Sequence, residues 1–284
     1  MDALEQAKPL SPASPVSIKK LIKIYLPFAR SEVQRAMAYR FRLVLWILSG
    51  FVVLFANYFL WRAIFSSSGT GLMSGFTFTD MLVYILLMYA VLEMTGSPAG
   101  WIIGREVQDG SIAMNLIRPI NYSARLFSCA VGGNMFTTVV IGGPLFLIVG
   151  FIFHGTTALP QVALFALSVF LSFCICHFFD MCFSMISFYT TYIWGLQMLK
   201  FALIRFLAGG LIPFVLMPES MARVFGLLPF AGLGYTPVMI FLGKYSGGDI
   251  LVYIGLQIFW ALFFWWLSVI LWRWAIKRLT ILGG

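Results

Sequence analysis

The chain holds only ten acidic side chains and two histidines in 284 residues, and their placement decides what chemistry is open to it. Arg105, Glu106, Asp109 and Arg118 share one short segment, in which Asp109-Gly110-Ser111 is a turn or helix-cap signal. Ile112, Leu116 and Ile117 follow at helical spacing until Arg118-Pro119 stops the run. A segment that merely joins two elements needs no ordered apolar residues, whereas one that docks into a groove on a soluble partner does. A second set, Glu93, His177, Asp180, Lys200 and Arg205, lies inside strongly apolar runs. Ionisable groups there are costly and usually face an interior, so pairing with one another is their simplest chemistry.

Other chemistries find no support. Cys174, Cys176 and His177 lack an acidic or second histidine partner at ligand spacing, and Cys129 and Cys182 also sit in apolar runs, so all four thiols read as packing residues and no metal site is expected. A proton relay would rest on one acid and one histidine at similar depth. There is no G-x-x-x-x-G-K-[ST] loop, no H-E-x-x-H and no G-x-S-x-G elbow, so neither nucleotide binding nor catalysis is expected of this chain.

The elements that must position these residues follow from composition. Apolar residues make up 61% and charged residues 10%, against roughly 45–50% and about 25% in a soluble domain. That excludes a water-soluble core and a disordered coil alike, leaving an all-α polytopic membrane protein. Runs long enough to cross a bilayer core of about 30 Å cover residues 43–61, 81–103, 126–153, 161–188, 193–216 and 250–272, giving six expected spans. Glycine and proline interrupt the middle ones at Gly142-Gly143-Pro144, Gly209-Gly210 and Pro213. No ten-residue alternating pattern supports a barrel. With a rise of about 1.5 Å per residue, Asp180 and Lys200 lie about 12 and 10 Å inside the same end of two adjacent spans, which predicts an ion pair. Glu93, His177 and Arg205 lie deeper, and a Glu93–Arg205 contact is the companion expectation.

Orientation comes from the flanking cations. Fourteen Lys and Arg fall before the first span, between spans two and three, or after span six, against Arg62, Arg223 and Lys244 on the other side. Both termini are therefore expected in the cytoplasm. The net charge of +9 is thus a matter of topology rather than of nucleic-acid binding. The first apolar run begins late and is too long for a signal-peptide core, so it should persist as an anchor. Residues 1–16 read as a flexible tail. Residues 17–40 read as an amphipathic helix in the membrane interface, with Lys19, Lys20, Lys23 and Arg30 toward lipid headgroups and Pro27 as a kink. Residues 41–284 then form a single transmembrane domain. The stretch 217–249 is too apolar for a plain loop and too short in each run to span, which predicts a re-entrant helical hairpin at the outer leaflet.

These pieces together resemble the type-2 ABC transporter permeases. The resemblance is carried by Ala38-Tyr39-Arg40, Leu60-Trp61-Arg62-Ala63-Ile64, Gly104-Arg105-Glu106 with Asp109-Gly110, and Leu116-Ile117-Arg118-Pro119-Ile120-Asn121-Tyr122, and it extends over roughly residues 20–280. It points to the bacterial exporter-like subfamily and so implies a cell (inner) membrane location. It further implies a homo- or heterodimer of permease subunits, each engaging a separate ATP-binding cassette subunit that holds ATP and Mg. Arg105, Glu106, Asp109, Gly110 and Arg118 would then form the coupling helix, residues 17–40 the connecting helix, spans two and five the path, and residues 217–249 an outer gate. The apolar, aromatic walls suit an amphipathic or hydrophobic cargo. A stand-alone channel or secondary carrier, or a membrane scaffold without transport, is the rival reading; an ATPase partner separates the first reading from both.

Overall fold

A computed structural model describes residues 18–67, 72–152, 159–190, 192–245 and 247–282, so the expected tail at 1–16 lies outside the described residues. The chain is almost wholly helical. Its order begins with α1 (Ile18–Ala38), α2 (Arg40–Ser67), a two-stranded hairpin of β1 (Leu72–Met73) and β2 (Phe76–Thr77), and α3 (Phe78–Met94). The strands turn through Ser74 and Gly75 at φ 47° and 78°, the left-handed pair that matches strand twist in a two-residue turn. Thr77 then opens α3 with a reciprocal cap, its Oγ1 accepting from the Asp80 N–H at 3.1 Å and Asp80 Oδ2 accepting from the Thr77 N–H at 3.1 Å.

Next come α4 (Ala99–Gln108), α5 (Ser111–Ile117), α6 (Tyr122–Thr137), a π-helical turn at Thr138–Gly142, α7 (Gly143–Ile152) and α8 (Leu159–Ser184), which tightens into a 3₁₀ turn at Met185–Phe188. The chain closes with α9 (Ile193–Leu207), α10 (Glu219–Leu227), α11 (Tyr235–Phe241) and α12 (Gly247–Leu282). Among the described residues five stretches are long and apolar enough to cross a membrane: α2, α3 with α4, α6 with α7, α8 with its 3₁₀ turn, and α12. These define a polytopic membrane protein.

Two expected spans differ from their sequence reading. The second is broken, because Thr95-Gly96-Ser97-Pro98 separates α3 from α4 and proline supplies no N–H to continue the ladder. The fifth is helical only over Ile193–Leu207, about 22 Å at 1.5 Å per residue. It ends where Gly209 adopts φ 83° and the Gly210 N–H returns to the Arg205 carbonyl at 2.9 Å, an αL helix stop. The segment after it holds the 3₁₀ turn Phe214–Leu216 rather than more α-helix. Helix α1, by contrast, runs through Pro27 without interruption.

Helix α8 is the central post, packed by α12, α11 and α4. At one end of the molecule Ile103 of α4, Ile112 of α5, Leu126 of α6, Met181 of α8, Met185 of the 3₁₀ turn after it and Ala275 of α12 form one buried cluster. At the other end α3, α7, α8 and α11 share a second cluster that includes Leu87, Val149, Phe165 and Val238. Helix α2 leans mainly on α3 and leaves most of its apolar side chains, such as Phe41, Phe51 and Phe55, exposed, as suits a helix facing lipid or another subunit.

Candidate functional site

The segment 99–125 holds two of the ten acidic residues, Glu106 and Asp109. Glu106 lies on the face of α4 turned toward α6, although sequence reasoning grouped it with the residues offered to a partner. Its Oε2 accepts from the Tyr122 hydroxyl and its Oε1 from the Arg125 guanidinium, each at 2.7 Å. Tyr122 stacks on Trp272 with ring centroids 4.8 Å apart, and the Arg125 guanidinium lies 4.8 Å from the Tyr122 centroid. The spacing of Tyr122 and Arg125 places both on one face of α6, so a single carboxylate receives both. Glu106 thus braces α4 against α6 and α12. Nothing in the local sequence marks it as inward, because the α4 face it shares is settled only by packing.

Arg105, Asp109, Gly110 and Arg118 are exposed. Gly110 turns the chain at φ 74° with open space around it. Asp109 Oδ1 accepts from the Ser111 N–H at 2.9 Å, and its bonds to Ser111 hold the carboxyl below its ordinary value. Ile112, expected to dock outward, is instead 1% exposed and anchors α5 to the inner cluster, leaving Met114 at 67% and Ile117 at 78% exposure. The outward apolar pair is therefore Met114 and Ile117.

Lys19, Lys20, Lys23 and Arg30 are exposed along α1. The opposite face docks on α6, where Tyr25 Oη accepts from the Asn121 N–H at 3.0 Å and Ala29 lies directly over Gly132. Leu21, Ile22 and Leu26 are exposed beside the lysines. The helix thus carries two apolar faces, one spent on α6 and one left exposed.

The deeper ionisable residues assemble around the break in the second span. Asp180 and Lys200 form a buried ion pair between α8 and α9. Asp180 Oδ2 also accepts from the Gly100 N–H at 2.8 Å, so the carboxylate caps the start of α4 from another helix. The Ser97 hydroxyl contacts His177 Nδ1 at 3.2 Å and accepts from the Ala99 N–H at 3.2 Å. Phe127, Phe173 and Phe178 enclose the His177 ring. Arg205 reaches Glu93 Oε1 at 3.1 Å and stacks over Phe201, its guanidinium 4.6 Å from the ring centroid. Both contacts expected from depth are thus present in the fold. Sequence reasoning missed Ser97, Gly100 and Gln197; Pro98 inside an apolar run was the available signal for the first two. No group of three or more potential metal-ligating side chains occurs among the described residues.

A cavity of about 430 Å³ lies between the α1–α2 junction and α9, walled also by the Thr95–Pro98 break and by α6. The break and the π-helical turn both lie beside it in sequence. Irregular backbone at membrane depth survives where it is buried in protein or faces a cavity.

Five membrane-length helical stretches among the described residues, a braced polar corner at one end and an internal cavity with a mixed polar and apolar wall define a multi-pass membrane protein. Residues 51–283 match the family model described as ABC-2 family transporter protein, and the chain belongs to that family: it is a membrane permease subunit of an ABC transporter. Comparison with curated proteins and with solved structures returned no match.

Proposed function

We propose that the chain exports an amphipathic or hydrophobic substrate, driven by ATP that a separate cassette subunit binds with Mg and hydrolyses. In this reading six spans cross a bacterial inner membrane with both termini in the cytoplasm, α9 and the turns after it supplying the fifth. Residues 41–284 are then one transmembrane domain, α1 is the connecting helix at the cytoplasmic interface, and α10 with α11 forms the outer re-entrant hairpin. Two permease subunits assemble, and spans two and five flank the path.

The observation that carries the reading is the construction of the 99–125 corner. Glu106, Tyr122, Arg125 and Ile112 lock α4 and α5 onto α6, α8 and α12. Arg105, Asp109, Arg118, Met114 and Ile117 remain outside. A rigid mount with a mixed charged and apolar outer face is what a force-transmitting contact to another subunit requires. Closure of the ATP-bound subunits would push this corner, and the broken second span would let α4 tilt relative to α3, biasing inward- and outward-open populations.

The test is capture of tagged protein from native membranes. An ATP-binding cassette subunit should be recovered with it. Recovery of the permease with no such subunit would remove the ATP-driven reading and favour a carrier or scaffold.

A further inference from the structure

The cavity beside the broken span combines features that its wall does not need for folding. Gln197, 1% exposed, leaves both Nε2 and Oε1 without a hydrogen-bond partner among the described residues. Asn134 Nδ2 and Arg205 Nε, on the same wall, are likewise buried and unpartnered. An unpaired buried amide costs free energy that most proteins avoid, so two such amides around one space, beside an arginine whose Nε is left over from its pairing with Glu93, mark a place for a ligand.

The chemistry of the wall selects the ligand class. Lysines and arginines lining the cavity outnumber its acids by one, and Arg42 has no acidic partner among the described residues. The unpaired groups are mostly N–H donors, so the complementary group is rich in acceptor oxygens and negatively charged. The rest of the wall is apolar and aromatic, with Trp46, Trp101 and Phe201 prominent. At about 430 Å³ the volume falls within the range of small-molecule pockets and holds a head group with the first part of a chain, not a whole lipid.

We propose that this cavity, within a single subunit, binds an anionic amphiphile, its phosphate or carboxylate held by Gln197, Asn134 and Arg205 and its chain lying on the aromatic wall. This deepens the transport reading by naming the class of molecule handled, and rests on that reading only for transport; binding stands independently. Gly133 offers the means to test it. It lines the cavity, and a side chain added there meets nothing within 4 Å. Gly150, on α7 and away from the cavity, is equally unobstructed.

The experiment uses the purified full chain in detergent micelles without any ATP-binding subunit. Thermal stabilisation and adduct retention in native mass spectrometry are measured with dioctanoyl phosphatidic acid, dioctanoyl phosphatidylcholine and inorganic phosphate. The phosphatidic acid should stabilise the protein in a concentration-dependent manner. Phosphatidylcholine should bind about tenfold more weakly for want of a net charge on its head group. Inorganic phosphate, lacking the chain, should bind more weakly still. Gly133→Phe and Asn134→Leu should abolish the stabilisation while Gly150→Phe keeps it. Equal response to the two lipids overturns the anionic head group, equal response to phosphate and phosphatidic acid overturns the amphiphile, and equal loss in Gly133→Phe and Gly150→Phe overturns the site. The wild-type comparison decides the first two even if a variant does not fold. Because no ATPase is present, failure here is distinct from failure to recover a cassette subunit.

Discussion

Asp180 serves three helices with one carboxylate, receiving Lys200 from α9 and the Gly100 N–H of α4 while standing on α8. The double duty alters what mutations should do. Removing one member of a buried pair typically costs about 3–5 kcal/mol, so Lys200→Met should sharply lower thermal stability and monodisperse yield in detergent. Asp180→Asn should be milder than Asp180→Leu, since an amide oxygen still accepts from Gly100. Exchanging the two charges should not rescue folding, because a lysine at position 180 would set a cation against a helix N-terminus; full rescue by the exchange would show that the Gly100 bond contributes little. At the other corner, Tyr122→Phe should cost about 1 kcal/mol and Glu106→Gln more, as it leaves the largely buried Arg125 without its counter-charge. The Asp180–Lys200 contact was legible from helix rise and a short connection alone. The inward turn of Glu106 was not, because the partner that claims it begins sixteen residues later on another helix.

Two neighbouring glycines show how closely elements approach. A Cβ at Gly132 would lie 2.2 Å from the Ala29 carbonyl oxygen of α1, whereas one at Gly133 meets nothing within 4 Å. Gly132→Ala should therefore force α1 away from α6 and destabilise by about 1–3 kcal/mol, while Gly133→Ala should be neutral or stabilising by up to about 1 kcal/mol. Limited proteolysis within α1, compared between the two variants, reads the difference directly. Gly100→Ala belongs with the first, since its Cβ would come within 2.6 Å of both Gln197 and Asp180. Apolar runs made the long helices readable from sequence, and lysine patterning made α1 readable. The break at 95–98 and the early end of α9 were less so, because composition stays apolar across both and only the proline and the paired glycines mark the change of backbone.

Across the whole molecule, buried bonds divide the chain into parts that must move together. Gln257 donates to the Ser168 and Gly232 carbonyls at 3.2 and 2.7 Å, and Gln161 donates to the Ile240 and Phe241 carbonyls at 2.9 and 2.8 Å. These tie the 231–241 stretch to α8 and α12, so any opening there carries those helices with it rather than lifting a loose flap. Gln257→Leu should leave the Gly232 carbonyl with the Ser172 hydroxyl alone, at 2.6 Å, and take away the acceptor of the Ser168 hydroxyl, lowering stability by about 1–3 kcal/mol. The irregular backbone of the second and third spans gathers instead along the cavity, which is lined by the 95–98 break and by Thr137 at the start of the π-helical turn. In the transport reading proposed above, the 95–98 break is the hinge, and α4 and α5 move together with the parts of α6, α8 and α12 to which they are locked.

The central claim, that this corner is where an ATP-binding subunit pushes, is tested most directly by site-specific photo-crosslinking in native membranes. A photoreactive residue in place of Ile117, 78% exposed beside Arg118, should capture the cassette subunit, while one in place of Leu251, 75% exposed at the start of α12, should not. Capture at neither position, or equally at both, would contradict the account.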